Sequence, residues 1–173
     1  MLGDAIRVFE ASGMHFERSY GEMLLAKASL ALGEAASAGE MAQRATAQFQ
    51  QLGHAVSALE AATVLAEQQV ALSRPAPALS VLDEAIAAAK GETGALLPRV
   101  SLIRARAFQL QGDGEAALAA VHVGLAAARE MQLPYEEALL MLLWAELHPG
   151  PDAAGRVERA RRILDGLGAA DPS

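Results

Sequence analysis

Self-similarity at a fixed step governs this chain. The string Ala5-x3-Phe9-x3-Gly13 returns as Ala45-x3-Phe49-x3-Gly53 and, near the C-terminus, as Ala160-x3-Leu164-x3-Gly168. Weaker copies lie around Ala85, Ala89 and Gly94 and around Leu125, Ala128 and Gln132, so the step is near 40 residues. A second marker, out of phase with the first, is a long residue followed by Ala: Leu25-Ala26, Leu65-Ala66, Arg104-Ala105 and Trp144-Ala145, with steps of 40, 39 and 40. A period of this length means one supersecondary unit copied along the chain. Such a unit cannot bury both its faces alone and gains a continuous core by stacking on its neighbours.

Composition decides what the unit is made of. The 40 Ala and 25 Leu form 38% of the 173 residues, and both are strong helix formers. Val, Ile and Thr total only 16 and aromatic residues 4%, too little of the material from which sheets are built. Turn signals at Gly13, Gly33 to Gly39, Gly53, Ser73 to Pro77, Gly91 to Gly94, Gly112 to Gly114, Leu133-Pro134 and His148 to Asp152 cut the chain into segments. They predict nine helices, at 2–12, 14–32, 36–52, 54–72, 76–90, 95–111, 114–131, 134–147 and 152–167. Apolar residues recur within them at helical spacing, as in Leu24, Leu25, Ala28 and Leu32, or Leu139, Leu140, Leu143 and Leu147, so one face of each helix needs burial. Ala26, Ala66, Ala105 and Ala145 are small enough to let neighbouring helices approach closely. The fold class expected is all-α: an α-solenoid of antiparallel helix pairs forming a single helical-repeat domain over 1–168, with a polar tail at 169–173.

Several function classes find no support. With no Cys there is no disulfide framework, thiol nucleophile or Cys-based zinc site, which suits a reducing compartment and a cytoplasmic location. The longest apolar run, Ala138 to Ala145, is far short of the ~20 residues that span a bilayer. A formal charge of −7 opposes binding to nucleic acid, which needs clustered Lys and Arg. His15, His54, His122 and His148 contain no i, i+4 pair, and His15 and His54 read as polar openers of successive first helices. The adjacent acids Asp83-Glu84 and Glu136-Glu137 point in different directions on a helix and read as solvated faces. Gly91-Glu92-Thr93-Gly94 and Gly112-Asp113-Gly114 lack the Lys-Ser/Thr of a phosphate loop, and no Gly-x-Ser-x-Gly elbow exists. The sequence therefore implies no enzyme, no metal and no cofactor.

Two segments carry a resemblance: Ala42-x2-Ala45-x3-Phe49-x2-Leu52-Gly53 on the second helix of a pair, and Leu25-Ala26 ahead of the turn Leu32-Gly33-Glu34 on the first. These resemble the tetratricopeptide-like superfamily in its longer-period form. They differ from the strict repeat, whose Leu-Gly step here reads Leu-Ala, Leu-Ala, Arg-Ala and Trp-Ala. The Ala-x3-Phe-x2-Leu-Gly pattern is similar to the C-terminal helical-repeat regions of large bacterial ATP-binding regulators, namely LuxR-type transcription activators and multidomain cyclases. Arg159 to Gly168 resembles the closing repeat of such a protein.

The resemblance implies that first helices line a concave groove where a protein or peptide binds. By register, the residues after each small Ala are Lys27, Glu67, Arg106 and Glu146, and those two turns earlier are Tyr20, Glu60, Arg99 and Leu139. Tyr20, Lys27, Glu60, Glu67, Arg99, Arg106 and Glu146 are thus the candidate partner-binding residues. Met23, Thr63, Leu102 and Leu142 lie one turn before the small Ala residues, and Met23, Leu102 and Leu142 read as core. Trp144, within an apolar run, reads as interhelical core rather than a binding hot spot. Arg156, Arg159, Arg161 and Arg162 form the densest basic group and read as late-helix cations complementing the dipole, with grip on an acidic partner as the sharper alternative. The functional expectation is a non-enzymatic interaction or scaffold domain, the sensor part of a larger bacterial signalling or transcription regulator. The alternatives are a homo-oligomerisation module and a small-molecule or peptide-pheromone receptor.

Overall fold

The computed structural model describes residues 2–169. Among the described residues there are nine α-helices and no strand, which makes the fold all-α. The helices are α1 (Leu2–Ala11), α2 (His15–Ala31), α3 (Ala35–Gln51), α4 (Ala55–Ala71), α5 (Pro75–Ala88), α6 (Leu97–Gln111), α7 (Gly114–Glu130), α8 (Pro134–Leu147) and α9 (Pro151–Leu167). A short 3-10 turn, Gly94–Leu96, precedes α6. Every helix read from the sequence is present, displaced at its ends by no more than two residues. The tail expected at 169–173 lies, past Ala169, outside the described residues.

One turn is used again and again. At Gly13, Gly33, Gly53, Ser73, Gly112 and Gln132 the backbone enters the left-handed region, with φ between 55° and 80°. In each case that residue donates its N–H to the carbonyl three residues back, and the next residue donates to the one five back, as in Ser73 to Val70 and Arg74 to Gln69. This is the Schellman closure, and it caps carbonyls that a helix end otherwise leaves open. The second donor then serves as the N-cap of the following helix, so the chain reverses in three residues and successive packed helices run antiparallel. The half-period of about 20 residues in the sequence is the spacing of this turn.

The helices form two compact units, Met1–Thr93 and Gly94–Ser173. In the first unit α2 packs against α1, α3 and also α4, and α3 lies between α2 and α4 on the other side. Its core consists mostly of small residues: Met23, Ala26, Ala42, Ala45, Phe49, Ala58, Ala61 and Val64. The buried face of α2 is Ser19, Gly21, Glu22, Met23, Ala26 and Ser29. This corrects the expectation that Leu24, Leu25, Ala28 and Leu32 face the core. Leu24 is 38% exposed and Leu32 77%, because Ser and Ala let the helices pack closely and leave no depth for a leucine row. The buried hydroxyls of Ser19 and Thr63 are satisfied within their own helices, Ser19 Oγ donating to the His15 carbonyl at 2.8 Å and Thr63 Oγ1 to that of Glu60 at 2.7 Å. Gly39, the last residue of the turn signal Gly33 to Gly39 yet within the helix predicted over 36–52, lies inside α3, where a Cβ would come within 2.8 Å of the buried Gln68 carboxamide.

In the second unit α8 is apolar nearly all round, burying Ala138 to Met141 and Leu143 to Ala145, and it packs against α6, α7 and α9. Its core joins Ala105, Val121, Leu125, Ala138, Leu140, Leu143, Trp144 and Leu164. Each fully buried Leu or Val stabilises by about 1.5–3 kcal/mol. At the crossing of α6, α7 and α8, Gly124 fits where a Cβ would meet Ser101 Cβ at 2.8 Å and both Leu140 methyls at 2.9 Å. The expected small residues Ala26, Ala66, Ala105 and Ala145 are all buried.

Candidate partner-binding face

Within each unit, the helices that open a repeat stand side by side, α2 beside α4 and α6 beside α8. Tyr20, Lys27, Glu60 and Glu67 belong to the first unit and Arg99, Arg106 and Glu146 to the second. Lys27 Nζ on α2 donates to Glu60 Oε1 on α4 at 2.7 Å. Arg106 on α6 grips Glu146 on α8 with both terminal nitrogens, Nη2 donating to Oε1 at 3.1 Å and Nη1 to Oε2. Arg106 Nη1 also reaches Gln109 Oε1 at 3.2 Å. The register that nominated these residues thus brings four of them together in two pairs, each bridging neighbouring first helices. Glu67 and Arg99 are half-buried and engaged.

Mutual pairing changes what the face offers. A charge already matched at hydrogen-bond distance gives a ligand less than a lone one, since binding must break the internal pair. The accessible residues in line with Tyr20 along α2 are apolar. Phe16, Tyr20 and Leu24, 36%, 43% and 38% exposed, follow one another at i, i+4 and i+8 along α2. The Phe16 and Tyr20 rings stack with centroids 6.4 Å apart, and Phe16 leans on Phe49 at 5.3 Å and on His54 at 4.8 Å. Phe16 is held by the α3–α4 turn, so the stripe is fixed at one end. Sequence reasoning nominated Tyr20 but missed Phe16 and Leu24. Their i, i+4, i+8 spacing was a usable signal, hidden because a leucine in an amphipathic helix is normally assigned to the core.

The other residues singled out fall into structural places. Met23 and Thr63 are buried, while Leu102 and Leu142 are half-buried against the core of the second unit. Trp144 is 7% exposed in that core, and the Arg156 guanidinium lies 3.8 Å from its ring centroid. The basic residues of α9 do not cluster at its C-terminus, since its last turn holds none. They spread along the helix instead, Arg159 Nη2 lying 3.7 Å from Glu137 Oε1 and Arg162 Nε 3.8 Å from Glu158 Oε1. His15 opens α2 and His54 precedes α4. Among the described residues no three His, Asp or Glu come together as a metal site would require, and no helix is long and apolar enough to cross a membrane.

In comparisons with known proteins, no family model, curated protein or solved structure matches the chain.

Proposed function

We propose that this chain is a non-enzymatic helical-repeat interaction domain whose α2–α4 face takes up a mixed-sequence peptide segment of a protein partner. The observation that carries the reading is the exposed Phe16–Tyr20–Leu24 stripe beside the Lys27–Glu60 pair. Phe16 is braced on the core residue Phe49, whereas Tyr20 and Leu24 extend the row over an exposed helix face, where an apolar anchor residue of a peptide finds a fixed surface. Charged side chains flank the stripe, with Glu17 exposed on the same helix, so the fitting segment has apolar anchors set among charged residues. The α-solenoid arrangement and the setting in a larger bacterial signalling or transcription regulator rest on the tetratricopeptide-like resemblance. On this reading the chain works in the cytoplasm and touches neither nucleic acid nor membrane.

Selection from a random peptide display library tests it. Wild-type protein is expected to enrich peptides with paired aliphatic or aromatic anchors, and the Tyr20→Ala/Leu24→Asp double variant is expected to bind those peptides at least tenfold more weakly. Both side chains are exposed, so circular dichroism of the variant should match wild type. Absence of enrichment, or undiminished binding by the variant, rejects this face. Sedimentation of the wild type distinguishes the other occupant: a dimer that the variant converts to monomer would mean that a second copy covers the stripe.

A further inference from the structure

The second unit contains a cleft of about 390 Å³ where the α7–α8 turn meets α9, lined by Arg129, Gln132, Leu133, Pro134, Glu137 and Arg159. Its charges are unevenly matched. Arg129 Nε donates to Glu137 Oε1 at 2.9 Å, and Arg159 Nη2 stands 3.7 Å from that same oxygen, too far for a hydrogen bond. Two guanidinium groups therefore converge on one carboxylate oxygen, leaving one positive charge in excess and most of their N–H donors unspent. Arg129 and Arg159 are 52% and 62% exposed, whereas Glu137 is 13% exposed, so the donors face the opening and the internal acid lies behind them. The α8 helix begins here with Pro134, and its first turn carries Glu136 as well as Glu137, so the excess positive charge of the cleft comes from the two arginines and not from the helix end.

We infer that this cleft is a binding site for a small anionic group, a carboxylate or phosphate, which completes the coordination that Glu137 only begins. Planar guanidinium forks match both oxyanions in two-point geometry. The volume is at the low end for ligand pockets and suits one acidic side chain or a small dianion with a short apolar body, which Leu133 and Pro134 would cover. The site lies in the second unit and does not depend on the α2–α4 face of the first.

Glu137 distinguishes a ligand site from a merely structural clamp. As an internal competitor it weakens an incoming anion, so Glu137→Gln is expected to tighten binding about fivefold, the gain from removing one partly screened like charge. The experiment is a titration of the isotope-labelled full chain, followed by NMR at the arginine Nε–H and at Tyr135 and Glu136 amides. The probes are inorganic phosphate, succinate and an acidic hexapeptide, each at ionic strength matched with chloride. Saturable shifts with any of the three, stronger in Glu137→Gln and lost in Arg129→Ala/Arg159→Ala, support the site. The probe that responds separates free small acids from acidic side chains of a polypeptide. Absence of saturable shifts, shifts that persist in the double variant, or weaker binding by Glu137→Gln would overturn it. Arg129→Ala/Arg159→Ala leaves the largely buried Glu137 without a cation, so the same double change is also made on Glu137→Gln and each variant is checked by circular dichroism; shifts that survive in the folded triple variant overturn the site.

Discussion

Glycine has opposite roles at different places in this chain, and the difference is set by what stands beside it. Gly124 on α7 faces Ser101 Cβ, which is tied to its backbone, and the methyls of fully buried Leu140. Neither neighbour can retreat, so Gly124→Ala should lower stability by about 1–3 kcal/mol through overpacking despite the better helix propensity of Ala. Gly155 on α9 has open space around its Cβ position, and Gly155→Ala should raise stability by about 0.5–1 kcal/mol. Urea denaturation of the two variants measures both, and a stabilising Gly124→Ala would mean that the α6–α7–α8 crossing is looser than described. From sequence, the two glycines look alike. Repetition revealed where small residues were required in Ala26, Ala66, Ala105 and Ala145, but Gly124 belongs to no repeated marker, and its constraint comes from side chains on two other helices.

At the scale of the element, the helices were legible because their ends are written in local chemistry. A left-handed closure needs Gly or a tolerant residue, and such residues recur about every 20 positions. The face each helix buries was less legible. In α8 the apolar residues are large and the predicted Leu139, Leu140 and Leu143 are buried, whereas in α2 the core side is Ser, Ala and Met and the leucine side is partly open. Close packing on small residues inverts the usual inference from leucine spacing. The pairs between first helices were reachable, since the register at one repeat step nominated both Arg106 and Glu146. Their contribution is open to measurement by a double-mutant cycle with Arg106→Met and Glu146→Gln. Both side chains are partly exposed, 39% and 47%, so the coupling should be only about 0.2–1 kcal/mol, toward the upper end for a two-pronged grip and shrinking in high salt. A coupling indistinguishable from zero at low salt would leave both charges of the α6–α8 pair available to a partner of the second unit.

For the whole chain, the same locality that made the fold readable governs how it forms and limits what could be learned of its partner. Within each unit a helix packs against its first and second neighbours in sequence, so no native contact there waits for a long loop to close. Chains built from such contacts fold in microseconds to milliseconds, whereas sheets that pair distant segments take far longer. The main refolding phase from urea, followed by Trp144 fluorescence in the second unit, should therefore be complete within about 10 milliseconds at 25 °C. Trp144 suits the measurement because it is buried and lies under Arg156, so its emission reports the closing of α9 over α8. A main phase slower than about a second would require a rate-limiting non-local step that the helix contacts within this unit do not supply. Repetition imposes its pattern only on residues that must fit the neighbouring copy. The exposed stripe on α2 and the arginine cleft on α7–α9 occur in one unit each and answer to no copy. Their chemistry had to be read from the side chains in place.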